Sequence, residues 1–167
     1  MINADIGWLS FFARQHDRAI EQLRKTLEMD PNFALAYWLL GLNKEQKGQL
    51  EEATADFRKA VSLSEDIPFA LASLGHVLGR SGQREEAAAA LEELLRLSAR
   101  RYVSPHSIAT VYIGLGQSTE ALEWLNRAAD ERSNWIIFLN VDPVFDPLRD
   151  DPRFRNITDR LETETTG

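Results

Sequence analysis

Residues 34–67 read ALAYWLLGLNKEQKGQLEEATADFRKAVSLSEDI, and this stretch sets the period of the whole chain. Leu35, Trp38, Leu39 and Leu42 recur at helical spacing, and Lys47-Gly48-Gln49 then breaks the run. A second helical run follows, with Ala53, Phe57, Ala60 and Val61 inward and Glu51, Glu52, Asp56, Arg58 and Lys59 outward. A shift of 34 residues in either direction finds the same columns again. Ala19, Ala53, Ala87 and Ala121 form one, and Gly7, Gly41, Gly75 and Ala109 another. Gly48, Gly82 and Gly116 form a third that begins at Arg14. Two apolar columns, Leu23, Phe57, Leu91, Leu125 and Ile6, Leu40, Leu74, Ile108, keep the same phase.

Each column has a mechanical reason. Glycine or alanine at 41, 75 and 109, set against alanine at 53, 87 and 121, lets two helix backbones approach closely. The larger residue at 57, 91 or 125 fills the gap toward the next copy. The glycine of the turn supplies the positive φ at which the first helix stops. Asp30-Pro31, Asp66-Ile67-Pro68 and Ser104-Pro105 each set a capping oxygen beside a proline suited to a first helical turn. The fold expected is all-α. Four helix pairs span 1–33, 34–67, 68–101 and 102–133, a helical cap spans 134–163, and 164–167 form a frayed polar end. Trp135, Ile136, Ile137, Phe138 and Leu139 are expected to cover the exposed apolar face of the last pair as a short helix. Asp-Pro pairs at 142, 146 and 151 would start further short segments, and Leu148, Phe154, Ile157 and Leu161 supply a last stripe.

The pattern resembles the tetratricopeptide repeat, a helix-turn-helix of 34 residues with Gly and Ala at fixed offsets. The second copy carries it most fully, in Tyr37, Leu40, Gly41, Gly48, Ala53, Phe57 and Ala60, and the likeness runs over about residues 2–132. Arg14 departs from the turn glycine and Ala109 from the first glycine. The resemblance implies a right-handed superhelical arc whose first helices line a concave face. The stretches around Tyr102-Val103-Ser104-Pro105, Glu123-Trp124-Leu125, Val141-Asp142-Pro143, Asp146-Pro147-Leu148-Arg149 and Asp151-Pro152-Arg153-Phe154 are similar to the C-terminal repeat regions of bacterial multidomain regulators. Winged-helix domains, Ser/Thr kinases and nucleotide cyclases precede the repeats in those. That likeness implies a fragment or stand-alone relative of a sensing arm.

A formal charge of -7 argues against nucleic acid, whose phosphates call for a basic surface. No apolar stretch is long enough for a membrane span, and a cytoplasmic location is the expectation. The absence of cysteine excludes disulfides and thiolate chemistry. His16, His76 and His106 lack the close spacing of zinc ligands. Asp142, Asp146, Asp150 and Asp151 are interrupted by prolines and neighboured by Arg149, Arg153 and Arg155, so they read as caps and ion pairs rather than a calcium loop. Neither a nucleophile elbow nor a phosphate loop occurs. The expectation is therefore a protein that is not an enzyme, with no cofactor and no metal.

Mapped on the resembled repeat, the concave face takes Trp8, Phe11 and Phe12 from the first copy and Trp38, Leu42 and Glu45 from the second. Phe69, Ala72, His76 and Arg80 follow from the third, then His106, Thr110 and Ile113 from the fourth. Such an aromatic trough suits a protein or peptide partner. Some members of the family grip a terminal carboxylate with basic and asparagine side chains. The matching positions here, Ala4, Trp8, Leu39, Phe69 and Ser73, carry none. Two alternatives stand beside the peptide groove: a small ligand in a closed pocket beneath the arc, and a homodimer through the apolar N-terminal end.

Overall fold

The computed structural model describes residues 8, 10–64 and 67–165, the side chains of 164 and 165 apart. Residues 10–12 are helical and end in a tight turn. Then come α1 (His16–Met29), α2 (Ala34–Gln46), α3 (Leu50–Leu63), α4 (Pro68–Arg80), α5 (Arg84–Ser98), α6 (Pro105–Gly114) and α7 (Ser118–Asp130). Two 3₁₀ segments, Ile136–Phe138 and Pro143–Leu148, lead to α8 (Pro152–Thr165). Every element among the described residues is helical, and the breaks fall where the repeat places them.

The turns within each pair share one geometry. Gly48, Gly82 and Gly116 stand at φ of +77°, +82° and +74°, and Arg14 takes the same left-handed conformation at +57°. At the second turn the Gly48 amide donates to the Glu45 carbonyl and the Gln49 amide to that of Lys44. At the first, Arg14 donates to Phe11 and Gln15 to Ser10. These bonds satisfy carbonyls that the helix end would otherwise orphan. An L-residue in this conformation costs about 1–2 kcal/mol relative to glycine. Arg14 bears that cost, and the site described below gives it a reason.

Ala19, Ala53, Ala87 and Ala121 are wholly buried, as are Leu23, Phe57 and Leu125. The notch at Gly41 is filled by the large member of the pair: a Cβ there would fall 2.5 Å from the Phe57 ring. A Cβ on Gly75 would meet Val111 at 3.0 Å and Ala90 at 3.2 Å. The nearest atoms are thus not those of Ala53 or Ala87. A second kind of approach lies outside the repeat columns. A Cβ on Gly114 would sit 2.4 Å from the His76 carbonyl oxygen, and one on Gly79 would sit 2.5 Å from the Gly114 carbonyl. Backbone meets backbone there, holding α4 against α6.

The helix starts differ from expectation in their chemistry. Pro68 and Pro105 open α4 and α6, but Ser104 makes no capping bond. Its hydroxyl instead meets that of Ser133 at 2.6 Å, a contact to the chain beyond α7. Asp30 Oδ1 accepts from the Asn32 amide at 3.1 Å, which makes a turn, and α2 begins only at Ala34. Asp66 lies outside the described residues. Asp142 and Asp151 do bond forward, accepting from the amides of Val144 and Arg153. Asp146-Pro147 falls inside the second 3₁₀ segment rather than starting another.

The cap is anchored on the fourth pair. Ile136, Leu139, Val144, Phe145, Leu148, Phe154 and Ile157 form one buried cluster with Ala121, Leu122, Leu125, Ala128 and Ala129. Burying each large side chain contributes about 1.5–3 kcal/mol. Leu161 packs at its edge.

Candidate concave interface

A 3₁₀ helix has three residues per turn, so side chains at i and i+3 align. That rule divides residues 135–140 into three faces. Ile136 and Leu139 enter the cap cluster. Ile137 stays exposed, with 73% of its surface in solvent. Trp135 and Phe138 turn the other way, onto the concave face of the repeats.

There they meet the aromatic side chains that the repeat phase places on that face. The Trp135 ring lies 5.4 Å from Trp8, 6.1 Å from Trp38, 5.7 Å from Phe69 and 6.3 Å from His106. Phe138 stacks on Phe12 at 4.9 Å and meets Trp8 edge-on at 5.9 Å. Trp38 bridges Trp8 at 5.1 Å and Phe69 at 4.5 Å, and its indole nitrogen donates to Ser73 Oγ at 2.9 Å. The trough is therefore filled by the chain's own segment. A cavity of about 30 Å³ remains between Trp8, Phe11, Trp38, Leu42, Phe69, Ala72, His106, Thr110, Trp135 and Asp142. That is room for about a single water.

A polar layer adjoins the aromatic one. Glu45, His76 and Arg80 come together from α2 and α4. His76 Nδ1 lies 2.8 Å from Glu45 Oε1, although not aligned as a hydrogen bond, and Arg80 donates to the same oxygen at 3.2 Å. Glu45 and His76 are buried, while Arg80 reaches solvent. Asp142 arrives from the tail. Burial pushes its carboxyl up to about 6, against the Val144 amide and the nearby charges of His76 and Arg149. His106 lies with Phe145 at 4.9 Å and Trp135 across it, and burial pulls its imidazole down to about 4. It is neutral at pH 7.

Arg14 closes the arc. Its guanidinium donates to both carboxylate oxygens of Asp146, at 2.8 and 3.1 Å, linking the first turn to the second 3₁₀ segment. Arg149 donates to the same carboxylate at 2.7 Å and to the carbonyls of Asn140 and Asp142. These two arginines hold the Asp146 carboxyl below its ordinary value against the opposing effect of burial. The departure at Arg14 thus coincides with a contact that glycine could not make.

The residues expected on the concave face do gather, in three groups. Trp8, Phe11, Trp38, Leu42, Phe69, His106 and Thr110 surround the small cavity, Phe12 meets Phe138, and Glu45, His76 and Arg80 form the ion cluster. Trp38, Leu42, Phe11, His106 and Thr110 are core residues by exposure. Trp8, Phe11 and Phe12, which the homodimer alternative would leave exposed at the N-terminal end, are covered by one another and by Trp135 and Phe138. Trp135, Phe138, Asp142 and Asp146 were not expected on this face. The aromatic i, i+3 spacing at 135 and 138 was the available signal. The carboxylates of the tail are dispersed, and no group of three or more metal-binding side chains converges among the described residues. None of the described helices is long and apolar enough to cross a membrane.

Helix pairs repeating every 34 residues and closed by left-handed turns define an α-helical repeat solenoid. The chain belongs to the tetratricopeptide repeat family, whose model matches residues 5–68 and 73–134. No curated protein matches it in sequence. Among solved structures it is similar to MamA, at 23% identity over 81% of this chain and 74% of that one, TM-score 0.55. It is also similar to YrrB, described as a TPR protein with an unusual peptide-binding site, at 20% identity over 94% and 81%, TM-score 0.55. A putative kinesin light chain from Podosopora anserina shares 14% identity over 96% and 92%, TM-score 0.57. At these identities the likeness is one of fold.

Proposed function

We propose that this chain is a non-catalytic protein–protein interaction module, a scaffold or the sensing arm of a regulator, that takes a peptide or helix on its concave face. The observation that carries the reading is the seating of Trp135 and Phe138 among Trp8, Phe12, Trp38 and Phe69. A face that already accommodates two aromatic side chains of a protein segment has the chemistry of an interface anchor site. The peptide-binding site ascribed to YrrB supports a peptide on a scaffold of this kind. A small ligand beneath the arc would need an enclosed cavity of several hundred Å³. The space enclosed among the rings is about 30 Å³, and the larger clefts beside it, about 280 Å³ by His76 and Arg80 and about 420 Å³ by Phe69 and Trp135, are open to solvent.

The test uses half-buried positions, so that folding survives. Partners recovered with the full chain from its source cell are identified, and their binding is remeasured with Phe12→Ala and Phe69→Ala. Both variants should lose at least ten-fold in affinity at unchanged helix content. Full affinity in both would place the partner elsewhere on the array.

A further inference from the structure

We propose that Trp135 and Phe138 stand in for the partner. On this inference the concave face recognises a protein segment with two aromatic rings three residues apart and an acidic residue beyond them, and the arc opens like a clasp to admit it. The inference rests on the reading of the concave face as the interaction surface.

The clasp joins two units that are each stabilised without it. Trp38, Phe57 and Leu23 belong to a core built from the first two pairs together with Ala70 and Val77 of α4. Ile136, Leu139 and Phe145 belong to a core built from the fourth pair and the cap. Across the arc, the first repeat and the tail meet mainly through rings and one exposed ion pair. Trp135 and Phe138 are only half-buried, whereas Ile136 and Leu139 on the other faces of the same turn are buried. Separating the rings from Trp8, Phe12, Trp38 and Phe69 withdraws Trp135 from the edge of the first core, and leaves the other contacts of that core and all of the second in place. Repeat arrays permit this, because each repeat is stabilised by itself and its nearest neighbours, so a contact between the two ends adds to the stack without being required by it.

The latch is weak by construction. Arg14 and Asp146 keep 55% and 38% of their side-chain surface in solvent, and an exposed pair of this kind contributes little and is screened by salt. An incoming segment that offers two rings and a carboxylate replaces what opening removes: stacking on Phe12 and Trp8, contact with Trp38 and Phe69, and a partner for Arg14. The tail spells that ligand out, from Trp135 through Phe138 to Asp146.

The probe is a fluorescent peptide of residues 134–149, read by anisotropy. Trp135→Ala/Phe138→Ala in the full chain vacates the face, and the peptide should bind this variant at least ten-fold more tightly than the unaltered chain. A peptide with both rings replaced by alanine should not bind. A folded double variant that binds no better than the unaltered chain overturns the inference. Should that variant not fold, the chain's freedom from cysteine provides a second format. Arg14→Cys/Asp146→Cys, both at exposed positions, is joined by a short bis-maleimide: the reduced chain should bind the peptide and the cross-linked chain should not. Equal binding in the two states overturns the inference. Failure of the peptide while Phe12→Ala still loses a native partner removes the clasp alone. Success of the peptide while native partners ignore both Phe12→Ala and Phe69→Ala removes the functional reading instead.

Discussion

Replacing Gly79 with alanine adds one methyl where α4 meets α6. That carbon would lie 2.5 Å from both the carbonyl carbon and oxygen of Gly114 and 2.9 Å from the Leu115 nitrogen. Ordinary contact needs about 3.4 Å or more, so the two helices must part by roughly 1 Å, and no flexible side chain is there to yield. Overpacking costs about 1–3 kcal/mol, and a rigid backbone neighbour belongs at the top of that range. Alanine returns about 1 kcal/mol through its better helix propensity. The net loss is about 2 kcal/mol, a fall of roughly 4–8 °C in Tm for a chain of this size. Gly82→Ala is the control: nothing lies within 4 Å of its Cβ, and only the φ of +82° penalises it, by about 1 kcal/mol. Urea unfolding followed by far-UV circular dichroism measures both. A Gly79→Ala chain as stable as the unaltered one, or more stable than Gly82→Ala, would show that the backbone contact between α4 and α6 is not tight. Since α4 and α6 set the angle between the third and fourth pairs, the same substitution should move Trp135 against Trp38 and shift tryptophan emission to the red.

Arg14→Gly should relieve about 1–2 kcal/mol of left-handed strain while removing an exposed ion pair worth about 0–1 kcal/mol. Global stability should hold or rise slightly, yet the Val141 and Asp142 amides, both donating to the Phe138 carbonyl, should lose hydrogen-exchange protection. Unchanged protection would mean Arg14 latches nothing. Trp38→Ala should cost about 3–5 kcal/mol, because Trp38 is buried and leaves Ser73 without its indole donor; a smaller urea-midpoint change would show a less committed core position. His106 and Asp142 should oppose each other in acid. The His106 imidazole, held near 4 when folded against 6.5 when free, removes stability as pH falls from 6.5 to 4. Asp142, raised to about 6 from 3.8, adds stability over nearly the same interval, because the folded state binds the extra proton. Asp142→Asn should therefore steepen the loss of stability between pH 6 and 4, and His106→Phe should reverse its sign. Parallel pH profiles for the two variants would refute the assignment.

The array was legible because its signals are local and recur. The turn column required a positive φ, and Gly48, Gly82, Gly116 and even Arg14 supply it. The stripe Leu148, Phe154, Ile157 and Leu161 was visible as periodicity and does form the cap's apolar side. What was hidden depends on contacts between distant residues. Gly79 and Gly114 fall outside the repeat columns, so their backbone contact has no periodic trace. Ser104 looks like a cap in its own neighbourhood, and only folding brings it to Ser133. Trp8, Trp38 and Phe69 were placed on the right face by phase. That the face is occupied was not readable, because the occupant lies beyond the last repeat, where the 34-residue rule gives no phase.

The threefold division of residues 135–140 makes chain length, rather than composition, the guarded quantity between α7 and the tail. Each residue of a 3₁₀ turn advances the side chains by about 120°. Deleting Asn134 would rotate all three faces together. It would send Ile136 and Leu139 toward the first repeat and Ile137 with Asn140 into the cap. An amide would then stand where Leu139 is 1% exposed, and the array would lose both its seal and its clasp through one missing, solvent-facing residue.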